Sequence, residues 1–78
     1  MSNGTTANVR DVTVRGDTIE LSQLLKFGGL AATGGEAKAH ISSGKVLLNG
    51  VPETQKGKKL HAGDRVSFDG KTLVVRKA

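Results

Sequence analysis

Two dipeptides that favour tight turns, Asn49-Gly50 and Asp69-Gly70, place the strongest constraint on how this chain can fold. Asn-Gly and Asp-Gly readily adopt the positive φ angles of the two-residue turns that join antiparallel strands. Apolar residues precede both dipeptides, at positions 46–48 and, in alternation, at Val66 and Phe68. The second half of the chain is therefore predicted to form β-hairpins.

The strands that return from these two turns differ in character. Val51 begins the first return, but Pro52 has no N–H group to donate to a neighbouring strand. This arm is therefore predicted to be an edge strand or to become a loop at once. Leu73 and Val75 alternate with other residues after the second turn, which predicts a regular strand there. Leu60 is expected to return to the core between the two hairpins.

The first half of the chain begins with small polar residues and continues with a strand pattern. Residues 1–8 offer little to bury and are expected to form a flexible tail. Two alternating valines predict a short, half-buried strand over residues 9–15. Gly16-Asp17 is expected to turn the chain before a second short strand over residues 18–20.

Two short helices are predicted between these strand regions. Leucines recur at helical spacing across residues 21–25, which predicts an amphipathic helix from residue 22 to about residue 27. Gly28-Gly29 should end it, because glycine readily adopts the left-handed conformation of a helix exit. Thr33-Gly34-Gly35-Glu36 predicts the start of the second helix as a capping box, in which Glu36 reaches back to the cap. Ser42-Ser43-Gly44 should close that helix.

The fold class that follows is α+β, with two short helices packed on a small, mostly antiparallel sheet. Ala37 and Ile41 are four residues apart and should share the buried face of the second helix, whereas Lys38 should reach solvent. The predicted core contains Leu24, Leu25, Ala37, Ile41, Val46, Leu48, Val66 and Phe68.

The distribution of charge gives the first indication of function. Twelve Lys and Arg residues against seven Asp and Glu residues give the chain a net charge of +5. Residues 22–61 hold six of the lysines and only two acids, a local net charge of +4. Such a concentration favours contact with a polyanion, either nucleic acid or an anionic membrane surface.

The composition excludes several kinds of site. Without Cys there is no disulfide, no thiolate metal site and no cysteine nucleophile. His40 and His61 are too few for a zinc site without carboxylates, and Ser42 and Ser43 have no evident His–Asp pair to activate them. No apolar stretch is long enough to span a membrane, and the N-terminus shows no apolar signal core. We therefore expect a cytoplasmic protein that is not an enzyme and needs no cofactor or metal.

Four segments stand in an order and spacing that characterise a known family. They supply a leucine-bearing helix, a Thr-initiated helix with Ala at its core, an apolar strand that ends in Asn-Gly, and a Gly-Asp-x-Val strand start. The segments are Leu24-Leu25-Lys26, Thr33-Gly34-Gly35-Glu36-Ala37-Lys38, Gly44-Lys45-Val46-Leu47-Leu48-Asn49-Gly50 and Gly63-Asp64-Arg65-Val66. Together they resemble the alpha-L RNA-binding motif, the S4 (S-four) domain named after the fourth protein of the small ribosomal subunit. The resemblance covers about residues 20–68 within a single domain of residues 9–78. It is closest to the small stand-alone bacterial members.

The resemblance implies RNA binding through the second helix and the strand and loop that follow it. Lysines on a flexible loop suit phosphates better than base edges, and glycines leave first-turn amides open to a phosphate. Because Phe27 and Phe68 are the only aromatic residues, little base stacking is expected, and the target should be folded or duplex RNA. The resemblance implies ribosomal or other structured RNA. The candidate RNA-binding residues are Lys26, Gly34, Gly35, Lys38, Lys45, Lys56, Lys58 and Lys59.

Two departures and one alternative accompany this hypothesis. Many larger relatives carry Arg directly after the capping residue, where this chain has Gly34, so a bidentate phosphate clamp is not expected at that position. The sequence also holds no pseudouridine synthase or tRNA synthetase body, so the resemblance implies no such chemistry.

The alternative is a protein-interaction adaptor that recruits a partner at the edge near Val51-Pro52, with the lysines serving solubility. In either case we expect a monomer, with the ribosome as a candidate partner of the RNA-binding form.

Overall fold

Two short helices cover one face of a five-stranded sheet in the computed structural model, which describes residues 8–78. This arrangement confirms the predicted α+β class. The predicted tail lies outside the described residues, apart from Asn8. The elements are β1 (Val9–Val14), β2 (Ile19–Glu20), α1 (Leu21–Phe27), α2 (Gly34–Ser42), β3 (Leu47–Leu48), β4 (Val51–Pro52), β5 (Lys59–Leu60), β6 (Arg65–Phe68) and β7 (Lys71–Lys77).

The main sheet has the strand order β1-β7-β6-β3-β4, and strands β2 and β5 form a separate antiparallel pair. All neighbours in the main sheet are antiparallel except β1 and β7, which are parallel and place Val12 opposite Val75. The mostly antiparallel prediction is confirmed. The parallel pair was not predicted, because it joins strands from opposite ends of the sequence and leaves no local signal.

Both hairpin turns have the geometry that their sequences predict. The φ angles are 51° at Asn49 and 85° at Gly50, and 53° at Asp69 and 77° at Gly70. Positive φ at both central residues is characteristic of the type I′ turn, whose twist matches that of the flanking strands. As Pro52 predicted, strand β4 lies at the edge of the sheet.

The ends of α2 agree with the sequence pattern except in one detail. The Thr33 hydroxyl accepts a hydrogen bond from the amide of Glu36 at 3.1 Å, which confirms the helix cap. However, the Glu36 carboxylate accepts from the amide of Ala32 at 3.2 Å, so the predicted contact with the capping residue itself is wrong. The extended backbone of Thr33 brings the preceding amide within reach instead. No helix within residues 8–78 is long and apolar enough to cross a membrane.

The predicted core is confirmed. The two helices bury Leu24, Leu25 and Ile41 completely, and Leu48 and Phe68 pack against this cluster while half-buried. The parallel pairing of β1 with β7 adds further valines to the cluster. The buried core residues are Val12, Val14, Ile19, Leu21, Leu24, Leu25, Ala31, Ala37, Ile41, Val46, Leu60, Val66, Leu73 and Val75.

The end of α1 approaches β7 so closely that only glycine fits at position 28. A Cβ atom on Gly28 would lie 2.4 Å from Cδ1 and 2.7 Å from Cδ2 of Leu73. The Leu73 side chain is 1% exposed, so the close-packed core leaves it little room to move. Because the φ of Gly28 is −81°, the requirement is one of space and not of backbone conformation.

We predict that Gly28→Ala lowers the free energy of unfolding by about 1–3 kcal/mol, the usual cost of overpacking a core. Urea unfolding measures this quantity. The matched control is Gly34→Ala, because a Cβ atom there would meet nothing within 4 Å. The control should change the free energy of unfolding by less than about 1 kcal/mol. Equal effects of the two variants would show that α1 does not meet β7 this closely.

Candidate nucleic-acid interface

Backbone hydrogen bonds hold the lysine-rich loop, residues 53–58, against the start of α1. The amide of Leu21 donates to the carbonyl of Lys58 at 2.9 Å, and the amide of Ser22 donates to the carbonyl of Lys56 at 3.2 Å. First-turn amides have no partner within their own helix, so the loop satisfies two of them. The backbone therefore fixes the loop beside α1, while the side chains of Lys56 and Lys58 remain exposed.

Two of the predicted lysines meet at a depression between the helices. Lys26 from α1 and Lys38 from α2 line this depression of about 240 Å³, together with Gly34 at the start of α2 and Glu20, whose carboxylate pairs with Lys59. Ser22 of α1 also lines the depression, and its amide binds the loop. Both the loop and the depression therefore adjoin α1. The structure thus brings together residues that lie far apart in the sequence into one basic region.

Lys59, the first residue of strand β5, differs from the lysines of the preceding loop. Its Nζ donates to Oε2 of Glu20 at 3.3 Å, across the short pair of strands β2 and β5. Both side chains are substantially exposed, so this ion pair contributes little to stability. It does neutralise part of the Lys59 charge. The sequence predicted Lys59 as a contact of the same kind as Lys58, and the structure distinguishes the two.

Ion pairing also separates the lysines of the basic region from those in the last strand. Nζ of Lys77 lies 2.7 Å from Asp17, and Nζ of Lys71 lies 4.0 Å from Asp69. A lysine with a carboxylate neighbour attracts a phosphate less strongly. Among the described residues, the lysines with no carboxylate within 4.0 Å of Nζ are Lys26, Lys38, Lys45, Lys56 and Lys58.

Lys45 is exposed but does not line the depression between the helices. It follows the end of α2 and precedes the buried Val46. The structure therefore does not place Lys45 beside Lys26 and Lys38.

At the amino end of α2, backbone amides that no side chain covers lie close to the carboxylate of Glu36. Space is free around Gly34, where a Cβ atom would meet nothing within 4 Å, and Gly35 would meet only the Thr33 hydroxyl at 3.9 Å. The Glu36 carboxylate lies at the same end, bound to the amide of Ala32. Its negative charge opposes the attraction that the helix end offers to a phosphate. Most of the attraction in this region therefore comes from the lysines.

The histidines and the candidate serine have structural contacts. The ring of His40 packs against that of Phe68 with the centroids 4.3 Å apart, and the amide of His61 donates to Oδ2 of Asp64 at 2.8 Å. The Ser43 hydroxyl donates to the carbonyl of His40 at 2.6 Å, which is a helix-end contact. In the part of the chain that the structure describes, no group of three His, Cys, Asp or Glu side chains could hold a metal ion.

Asn49 has a role that its position in a turn did not indicate. Its side-chain amide donates to Oδ1 of Asp64 at 3.2 Å, and its Oδ1 accepts from the amide of Arg65 at 3.0 Å. Asn49 therefore joins the hairpin turn to the start of β6 and supports the sheet beneath the helices. Only the three-dimensional pairing of β3 with β6 brings these residues together.

Phe27 is a candidate RNA-binding residue that the sequence analysis did not predict. Its side chain is 64% exposed, next to Lys26 on α1. The exposure of Phe27 follows from the helical spacing of Leu21, Leu24 and Leu25, because position 27 falls outside the face that these leucines bury.

Comparison with known proteins identifies the family. The family model described as the S4 domain matches residues 12–76. YbcJ of Escherichia coli (strain K12) is 42% identical over 57 residues, which span 73% of this chain and 81% of YbcJ. The "Probable ribosome maturation protein RlbA" of Bacillus subtilis (strain 168) is 36% identical over 59 residues, or 76% of this chain and 83% of that protein. A tyrosine–tRNA ligase of Burkholderia lata is 34% identical over 73 residues, but these make up only 18% of that enzyme.

A solved structure supports the same assignment. The solution structure of YbcJ from E. coli is described as revealing an alpha-L motif involved in RNA binding. It matches this fold with a TM-score of 0.65 at 36% sequence identity, covering 97% of this chain and 91% of that one. The resemblance seen in the sequence is thereby confirmed. This chain belongs to the S4 domain family.

Proposed function

We propose that this protein binds structured RNA through a basic surface formed by Lys26, Lys38, Lys56 and Lys58, and that it has no catalytic role. One observation carries the proposal. Four lysines with no carboxylate within 4.0 Å of Nζ among residues 8–78 lie on α1 or next to it. Lys26 belongs to α1, Lys38 lines the same depression, and the backbone at Lys56 and Lys58 binds the start of the helix.

The chemistry of the basic surface suits phosphates more than bases. Lysine presents a flexible point charge, whereas reading a base edge requires donors and acceptors in a fixed geometry. Contacts of this kind position an RNA by its backbone and by the shape of its helix. Most of the binding free energy should then come from the release of counterions, so affinity should fall steeply as salt is raised.

The relatives support this proposal and narrow it. YbcJ is described as carrying a motif involved in RNA binding, and RlbA is named for ribosome maturation. We therefore propose ribosomal RNA as the target, bound by a cytoplasmic monomer whose RNA-binding unit is residues 9–78. The ligase activity of the third relative is not part of the proposal, because the match covers only a small part of that enzyme.

The remaining candidate residues are proposed as weaker contacts, each for a different reason. Lys59 shares its charge with Glu20, and Lys45 lies beyond the other end of α2. Gly34 and Gly35 offer amides to a phosphate, but the Glu36 carboxylate lies beside them.

The adaptor alternative has less support than RNA binding. The edge strand β4 contains only Val51 and Pro52, and the proline has no N–H to donate. Such a short edge offers few hydrogen bonds to an added strand. Val51 is 64% exposed, but a single exposed apolar side chain is common on protein surfaces.

Replacing one lysine of the basic surface should weaken RNA binding without regard to RNA sequence. We predict that Lys38→Ala, Lys56→Ala and Lys58→Ala each lower the affinity for several structured RNAs by a similar factor. Each variant should also reduce the slope of log affinity against log salt by up to about one, because one phosphate contact is lost. Fluorescence anisotropy titrations at several salt concentrations measure both quantities.

Lys71→Ala and Lys77→Ala are the matched controls, since they remove the same charge from lysines that already have acidic neighbours. Both should have much smaller effects on the affinity and on the salt slope. Equal losses for Lys71→Ala and Lys58→Ala would indicate a general polycation effect and would refute the basic surface, even if the protein binds RNA.

The absence of a catalytic role is tested at His40 and Ser43. We predict that His40→Ala and Ser43→Ala leave RNA affinity within a few-fold of the wild type, provided that circular dichroism shows a folded protein. The folding check matters because His40 packs on Phe68. Incubation of the purified protein with RNA should yield no cleaved or modified product. A product that disappears with His40→Ala would overturn this part of the proposal.

A further inference from the structure

A second hollow lies beside the basic depression, on the other side of α1. It has a volume of about 340 Å³ and is formed by the end of β1, the bend that follows and the outer side of α1. Gln23 lines both hollows, so the two are adjacent. Its polar and aromatic side chains are those of Thr13, Arg15, Thr18, Gln23 and Phe27.

The exposed ring of Phe27 is the central feature of this hollow. The three leucines of α1 are completely buried, whereas Phe27 is 64% exposed. Gln23 precedes Phe27 by four residues, so both side chains lie on one side of the helix. A single exposed apolar residue would mean little, but here the ring lies in a hollow with polar groups around it.

The polar groups of the hollow complement a planar, hydrogen-bonding ligand. The Gln23 amide supplies both a donor and an acceptor, and the threonine hydroxyls can act as either. Arg15 is exposed and has no carboxylate within 4.0 Å among residues 8–78, so its guanidinium is free to stack or to donate. An aromatic face with such groups around it is how proteins hold an unpaired base.

We propose that this hollow takes one unpaired nucleobase of RNA, stacked on Phe27, while the neighbouring phosphates lie on Lys26 and Lys38. The inference rests on the proposed RNA binding and specifies the class of RNA. A continuous duplex keeps its bases stacked inside the helix and cannot fill the hollow. The preferred target is therefore a duplex that carries a bulged or flipped-out nucleotide. The low aromatic content argued against base stacking in general, but α1 presents one of the two aromatic residues beside the basic depression.

Three RNA hairpins of matched length and charge test the proposal by fluorescence anisotropy. The first is fully paired, the second carries one bulged adenosine, and the third carries an abasic residue at the bulge. The wild-type protein should bind the bulged hairpin about tenfold (about 1.4 kcal/mol) more tightly than the abasic one, within the range for base–aromatic stacking. Phe27→Ala should remove this preference, and Phe27→Trp should retain it.

The salt dependence provides the control for stacking. Phe27→Ala should leave binding to the abasic hairpin and its salt slope unchanged, because stacking releases no counterions. Lys38→Ala should instead weaken binding to all three hairpins alike.

Failure of the inference and failure of the proposed function give different results. Salt-dependent binding of all three RNAs without a preference for the bulged base, or an equal loss on the bulged and abasic hairpins in Phe27→Ala, would overturn the base pocket alone. Absence of binding to any hairpin would overturn the proposed function and the base pocket with it.

Discussion

The unpaired amides at the start of α1 determine where the basic loop of this protein lies. Every α-helix leaves its first N–H groups without partners, and here two of them bind the carbonyls of Lys56 and Lys58. Because the loop backbone faces the helix, these two side chains face solvent. Together with the pairing of β2 with β5, these hydrogen bonds fix the loop lysines relative to Lys26 and Lys38. The proposed surface thus depends on how one helix is capped.

The core explains how so small a chain can hold that surface in place. Three leucines bury one side of α1, and the close approach of Gly28 to Leu73 sets its other end against the sheet. The parallel pairing of β1 with β7 joins the two ends of the described chain and adds Val12 to the core opposite Val75. A domain of this size buries a smaller fraction of its surface than a larger one, so such contacts matter individually. The opposite side of α1 is left free for the lysines and Phe27.

Sequence signals that span a few residues predicted most of the fold. The features that the sequence did not predict depend on pairing between residues far apart in the chain. The turn at Asn49 and the cap at Thr33 depend on neighbours within a few residues, and both were predicted. The sequence also showed that most of the lysines lie between residues 22 and 61. It could not show that Lys59 has an acidic partner, because Glu20 reaches it only through the pairing of β2 with β5. The exposure of Phe27 could have been inferred from the helical spacing of its leucine neighbours.

We propose that RNA contacts the α1 side of the molecule, and amide chemical-shift mapping would locate the contact residue by residue. Isotope-labelled protein would be titrated with a structured RNA while the backbone amide resonances are followed by NMR. We expect the largest changes in three segments, residues 20–27, 33–38 and 55–59. Largest changes in strands β6 and β7 or next to the β4 edge, with these three segments unaffected, would contradict it.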